Sequence, residues 1–230
     1  MTPEAVMLFT AGFGTRMDPL TRDRPKPLIP VGGRTLLDHA LAVVDTAGVG
    51  RIVANLHYLP DQIARHLSNR PDVRLSAESE TILETGGGLL HALPLLGDGP
   101  VFTLNTDAVW TGDNPIAELR HGWQPDRMDG LLLLVPRERA TGHAGGGDFD
   151  LDPDGRIRRG RDFVYTGAGI VKTEGLSRVG ERVFSLNRLW NRMADEGRLF
   201  GAVHAGGWCD VGRPESIALA EALLAGTVDG

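Results

Sequence analysis

The sequence predicts an α/β fold: one domain built on a mostly parallel central sheet, with helices on both faces and a small antiparallel insert. Three observations lead there. Short apolar runs alternate with segments of helical periodicity through residues 1–135, the order that βαβ crossovers produce. After Pro136 the text changes to glycine-rich breaks and short strand-like runs. A chain of 230 residues with 41% hydrophobic content encloses one sizeable core and is too short to require two full domains.

The elements follow in order. Strands are expected over Ala5–Thr10, Arg51–Asn55, Val73–Ala77, Val101–Asn105 and Gly130–Val135. Between the first two, Leu36, Leu37, Ala40, Leu41 and Val44 fall at helical spacing, and Ile63 and Leu67 do so after Pro60. Gly142 to Gly147 is a break, and Asp152-Pro153-Asp154-Gly155 is a turn signal whose flanks read as an antiparallel hairpin lying over the site. The chain returns to helices at Leu186–Glu196 and Glu215–Leu224, the second opening just after Pro214.

Composition removes several classes of function. A formal net charge of -6 argues against nucleic acid as the main partner, because phosphate neutralisation needs clustered Lys and Arg. The single cysteine, Cys209, allows neither a disulfide framework nor a cysteine-based zinc site within the chain, and it suits a reducing compartment. The apolar opening Ala5 to Phe9 is too short for a signal-peptide core, and no run approaches the ~20 apolar residues of a membrane span. A cytoplasmic protein, with no membrane partner, is the expectation. The seven histidines are scattered and show no catalytic pairing.

The first strand runs into Ala11-Gly12-Phe13-Gly14-Thr15-Arg16, where two glycines let backbone N–H groups approach an anion without interference from Cβ atoms. Met17 stands where a dinucleotide fingerprint needs its third glycine, and no Gly-Lys-Ser/Thr follows as in a Walker A loop. Alone, the loop reads equally well as a tight turn. The continuation changes that balance: Arg16 is followed by Pro19-Leu20-Thr21 and Pro25-Lys26-Pro27-Leu28, and Lys26 is one of only two lysines in the chain. Prolines on both sides stiffen its backbone, so the cation is aimed rather than merely tethered. Asp107 comes directly after an apolar strand, at the carboxyl edge of the sheet where open α/β folds bind ligands.

Together the run from Ala11 to Thr21 and the run from Pro25 to Val31 resemble the sugar-1-phosphate nucleotidylyltransferase family. Three further segments match in order, so the resemblance spans nearly the whole chain. Glu84-Thr85-Gly86-Gly87-Gly88 resembles the family's second loop beside the base and ribose. Asn105-Thr106-Asp107 resembles its Asn-Gly-Asp metal motif, with threonine replacing glycine. Trp208-Cys209-Asp210-Val211-Gly212 resembles the late motif that supplies a second metal carboxylate. Thr10 stands where the family usually has alanine.

The resemblance implies a single Rossmann-like (GT-A-type) domain, divided into a nucleotide-binding half (1–135) and a sugar-binding half (136–230), with no C-terminal β-helix. It implies an enzyme that joins a nucleoside triphosphate to a sugar 1-phosphate and releases pyrophosphate, with Mg2+ as cofactor held by Asp107 and Asp210. Arg16 and Lys26 would be the catalytic cations, Arg16 on the β and γ phosphates and Lys26 near the α-phosphate. Ala11, Gly12, Phe13, Gly14, Thr15, Glu78, Gly86 and Gly87 would bind the nucleotide, and Asn105, Gly147, Asp148, Thr166 and Gly167 the sugar. No general base is needed, since a sugar phosphate is already ionised at neutral pH.

Within that family the Glu-Thr-Gly-Gly-Gly loop, the Gly145-Gly146-Gly147-Asp148-Phe149 run after His143, and the short segment after Asp210 point to UTP and N-acetylmuramate 1-phosphate, in peptidoglycan recycling. GTP with mannose 1-phosphate is the alternative, because Glu78 or Glu80 suits guanine as a carboxylate facing its N–H donors. A phosphocholine cytidylyltransferase and a non-catalytic nucleotide-sugar sensor rank lower: the first needs an aromatic box, and the second has no use for the four charged residues. Many relatives carry a second lysine on the sugar-phosphate side. Lys172 lies on the far side of the Thr166-Gly167 strand motif, which leaves Arg158, Arg159 and Arg161 as substitutes or as a solvated hairpin face. A monomer or small homo-oligomer is expected.

Overall fold

The computed structural model describes residues 1–226. Its strands are β1 (Ala5–Phe9), β2 (Pro30–Val31), β3 (Arg34–Thr35), β4 (Arg51–Leu56), β5 (Val73–Ala77), β6 (Val101–Asn105) and β7 (Ala108–Trp110). After them come β8 (Gly130–Pro136), β9 (Ala140–Thr141), β10 (Phe149–Leu151), β11 (Ile157–Arg159), β12 (Phe163–Val171), β13 (Leu199–Val203) and β14 (Trp208–Asp210). The helices are α1 (Leu36–Thr46), α2 (Pro60–His66), α3 (Glu84–Leu96), α4 (Pro115–Gly122), α5 (Asn187–Asp195) and α6 (Ser216–Leu224).

The main sheet runs β13-β8-β12-β6-β1-β4-β5. Parallel pairing joins β1 to β4 and β6, β4 to β5, and β8 to β13, while β12 is antiparallel to both of its neighbours, β6 and β8. The expected antiparallel insert is the β10–β11 hairpin, which extends the sheet beside the start of β12. Because β8 and β12 pair directly, the two expected halves share one sheet.

Apolar side chains cover both faces. Val6, Leu8, Ile52, Phe102 and Leu104 meet α1, α2 and α4 through Leu37, Leu41, Val44, Ile63, Ile116 and Leu119. On the other face Met7, Val53 and Leu132 meet α3 and α5 through Leu89, Leu96, Leu189, Trp190 and Met193. Each fully buried Leu or Ile here contributes about 1.5–3 kcal/mol. Helix α1 starts where Thr35 accepts from Asp38 N and the Asp38 carboxylate accepts in return from Thr35, a capping box contributing about 1 kcal/mol.

A second layer positions the chemistry. β7, β14 and β9 form a three-stranded sheet, in which Asp210 pairs with Ala108, the residue after Asp107. Beneath it, Met17, Ile29, Val31, Leu36, Val109, Cys209, Val211, Ala220 and Leu223 pack into a separate small core. That core anchors the loop carrying Arg16 and Lys26 to the strands carrying the two aspartates.

Candidate active site

Strand β1 ends in a loop that crosses the carboxyl edge of the sheet. The pocket there has a floor of Phe9, Thr10, Ala11 and Gly12; Asn105 and Asp107 lie on its β6 side, and Asn55, Ile82, Glu84 and Thr85 on its β4 side. Gly14, Thr15, Arg16, Lys26 and Gly212 complete its lining. Gly14 is in the left-handed region at φ 63°, and a Cβ there would come within 2.9 Å of both Lys26 Cβ and Thr21 Cγ2. Glycine therefore allows the Lys26 segment to close onto the loop.

The four predicted charged residues come together. Lys26, whose side chain is only 11% exposed, donates to Asp107 Oδ2 at 2.7 Å. Val211 N donates to the Asp107 carbonyl at 2.9 Å, which ties the Asp210 segment to Asp107. Burial pushes the Asp210 carboxyl above its ordinary value and Asp107 adds to the rise, while Lys26, Arg16 and His143 oppose it. Arg16 is exposed and forms no hydrogen-bonded ion pair among the described residues. The site thus holds two neighbouring carboxylates, one lysine already engaged and one free guanidinium.

No group of three or more His, Cys, Asp or Glu side chains forms a metal cage among the described residues. Two adjacent carboxylates are the donor set of an oxygen-seeking ion that completes its shell with phosphate and water. The residues fit magnesium.

On the sugar side the expected residues separate. Asn105 lines the pocket. The β12 register shifts between Tyr165 and Gly169, and the bulge carries Gly167 at φ 90° against Asn105, where an added Cβ would lie 2.8 Å from Asn105 Cβ. Thr166 is buried behind it, donating to Leu133 O and accepting from Trp208 Nε1. Gly147 and Asp148 do not line the pocket: Gly147 packs on the Arg161 backbone, and the Asp148 carboxylate accepts from Tyr165 N. Of the proposed arginines, Arg159 binds Asn187 and Asn191 over the Phe149 ring, and Arg158 is 81% exposed beside Asp150. Neither they nor Arg161 lines the pocket. Lys172 is tied to Asp129 and Pro125 O, as its distant placement predicts.

On the nucleotide side several expected residues lie away from the pocket lining. Glu84–Gly88 is the first turn of α3 rather than a loop. Gly86 N and Gly87 N both donate to Phe184 O, and a Cβ at Gly86 would strike the Phe184 ring, so these glycines serve packing and do not line the pocket. Glu78 is buried beneath the wall, accepting from Asn55 Nδ2 at 2.6 Å and Leu83 N at 2.7 Å. Phe13 is exposed and packs against His57 and Tyr58 instead of lining the pocket. Ala11, Gly12, Gly14 and Thr15 do line it.

Sequence reasoning missed Asn55, Ile82 and His143. Asn55 Oδ1 accepts from Thr10 N at 2.8 Å, which joins β4 to the loop. Its position at the carboxyl end of a central strand was the available signal. His143 Nδ1 lies 4.0 Å from Asp210 Oδ2, and no local pattern marks it.

Residues 6–145 match the MobA-like NTP transferase domain family. The chain belongs to that family. It is a nucleotidyltransferase. It is 40% identical to an N-acetylmuramate alpha-1-phosphate uridylyltransferase of Caulobacter vibrioides, over 97% of this chain and 98% of the relative. Its identity to the protein of the same name from Neisseria meningitidis is 33%, over 94% and 96%. Among solved structures, HddC from Yersinia pseudotuberculosis superposes with a TM-score of 0.78 at 21% identity, covering 96% of this chain and 98% of that one, a likeness of fold.

Proposed function

We propose that the chain joins UTP to N-acetylmuramate 1-phosphate, giving UDP-N-acetylmuramate and pyrophosphate, in the cytoplasm and in the service of peptidoglycan recycling. The observation that carries the chemistry is the convergence of four charges: Arg16, Lys26 and Asp107 line one pocket, and Asp210 lies beside it within electrostatic reach of all three. The two uridylyltransferase relatives, matched over nearly their whole lengths, carry the choice of substrates.

The sugar phosphate oxygen attacks the α-phosphorus in line, forming one P–O bond as the bond to the departing pyrophosphate breaks; no proton need move. The protein's task is to hold two polyanions together and stabilise the leaving charge. Asp107 and Asp210 would hold a magnesium ion, which neutralises triphosphate charge when bound. Arg16 presents a free planar fork to the leaving pyrophosphate. Lys26, held by Asp107, keeps its ammonium in the pocket lining, where it would meet the reacting phosphates. Gly12 and Gly14 open the loop backbone to the triphosphate, while Gly167 brings the β12 bulge against Asn105 on the acceptor side.

The test is pyrophosphate release with UTP, GTP, CTP and dTTP against a panel of sugar 1-phosphates. UTP with N-acetylmuramate 1-phosphate should give the highest kcat/KM. If GTP with mannose 1-phosphate gave product and the UTP pair gave none, the substrate assignment would fall while the reaction class survived.

A further inference from the structure

Glu84 occupies a backbone conformation at odds with its residue type. Its φ is 59°, and apart from Leu59 it is the only non-glycine residue with positive φ among those described. Such a residue is commonly glycine, and a longer side chain there stores strain that persists only when its surroundings over-determine it. The surroundings here do so. Leu83 N is bonded to Glu78, Thr85 Oγ1 accepts from Leu186 N, and Gly86 N and Gly87 N are bonded to Phe184 O. The sequence supplies glycine at positions 86, 87 and 88 yet has glutamate at the position whose φ favours glycine. What glutamate adds there is its side chain.

That side chain is exposed, lines the pocket and has no hydrogen-bond or ion-pair partner among the described residues. Its place along the sheet says what it meets. The cations and the Asp107–Asp210 pair lie on the β6 side, where Lys26 bonds Asp107 and the small sheet carries Asp210. Glu84 stands at the opposite wall with Asn55 and Ile82, beyond the β1 loop. With the triphosphate at the cationic end, the part of the nucleotide that reaches the far wall is the base. A carboxylate only accepts hydrogen bonds, so it needs an N–H from that base.

We propose that Glu84 is a base-reading residue whose carboxylate accepts the N3–H of uracil. The inference rests on the UTP reading above and deepens it. The experiment is calorimetric titration of UTP and of 3-methyluridine triphosphate, which lacks that N–H, into the parent, Glu84→Gly and Glu84→Gln in the presence of magnesium. The parent should bind UTP at least about tenfold more tightly than the methylated analogue, the scale of one hydrogen bond to a charged group. Glu84→Gly should lose about tenfold in UTP affinity and bring the two ligands close to parity, while Glu84→Gln, which keeps an acceptor oxygen, restores part of the preference. A melting temperature no lower than the parent's is expected for Glu84→Gly, because glycine adopts this φ freely. Unchanged UTP affinity and an unchanged UTP-to-analogue ratio in Glu84→Gly would overturn the role of Glu84. A parent that binds GTP and not UTP would instead overturn the substrate reading.

Discussion

The two walls of the pocket are built on opposite principles. On the β6 side, charged groups stand beside one another with their needs incompletely met: Asp107 and Asp210 adjoin, Lys26 serves only Asp107, and Arg16 is free. On the β4 side a closed network runs from Thr10 through Asn55 and Glu78 to Leu83, with only the Glu84 side chain standing in front of it unbonded among these residues. One wall waits for a ligand, and the network behind the other holds its shape without one. Changes at the charged groups of the first wall should therefore abolish chemistry and spare the fold, and changes within the network should do the reverse.

The largest effect expected is at Asp107. Asp107→Ala should cut turnover by about a thousandfold, at the upper end of what one preorganised electrostatic contact provides. Circular dichroism and melting should remain close to the parent's, since the carboxylate lies at the end of a strand outside the apolar core. Lys26→Ala should cost about a hundredfold in kcat on the same grounds, read in a pyrophosphate-release assay; parental kinetics would remove Lys26 from the reaction.

Glu78→Leu tests the other wall. It leaves Asn55 Nδ2 and Leu83 N without an acceptor, at a cost on the order of 1–3 kcal/mol for each orphaned donor. Denaturant unfolding should show that loss, and the residual folded enzyme should keep a near-parental kcat with a raised KM for the nucleotide. Equal stability with lost turnover would break the contrast between the walls.

The smallest effect is a gain. Burial holds the Asp210 carboxyl above its ordinary value, with Asp107 adding to it. A raised carboxylate value means stability that is complete at acid pH and lost as pH rises through that value. Asp210→Asn removes that loss, so the variant should melt slightly higher than the parent at pH 7 and together with it near pH 3. A variant melting lower at pH 7 would contradict the sign.

The parallel framework was legible because its strands are buried on both faces and read as continuous apolar runs, as in Val6-Met7-Leu8 and Val101 to Leu104. Helix α3 escaped notice because three glycines and Pro94 argue locally against a helix, and only the packing of Phe184 and Arg182 against the glycines explains them. Lys26 and Asp107 stood out from their local sequence, between two prolines and after an apolar strand, whereas Asp210 stood out only through the family resemblance. Glu78 and Gly86 were placed by position in the chain, yet whether a group faces the pocket or the protein behind it depends on a distant segment, 182–184, that no local pattern announces. His143 near Asp210 depends on the pairing of β9 with β14, again a long-range fact.

The central claim is that two aspartates and two cations serve one triphosphate. Calorimetric binding of UTP with and without magnesium, to the parent, Asp107→Ala and Asp210→Ala, tests it most directly. The parent should bind at least tenfold more tightly with magnesium, on the order of one charge-assisted contact, and each variant should lose that gain while staying folded. If both folded variants kept the full magnesium-dependent affinity, the two aspartates would not share a ligand and the account would fail.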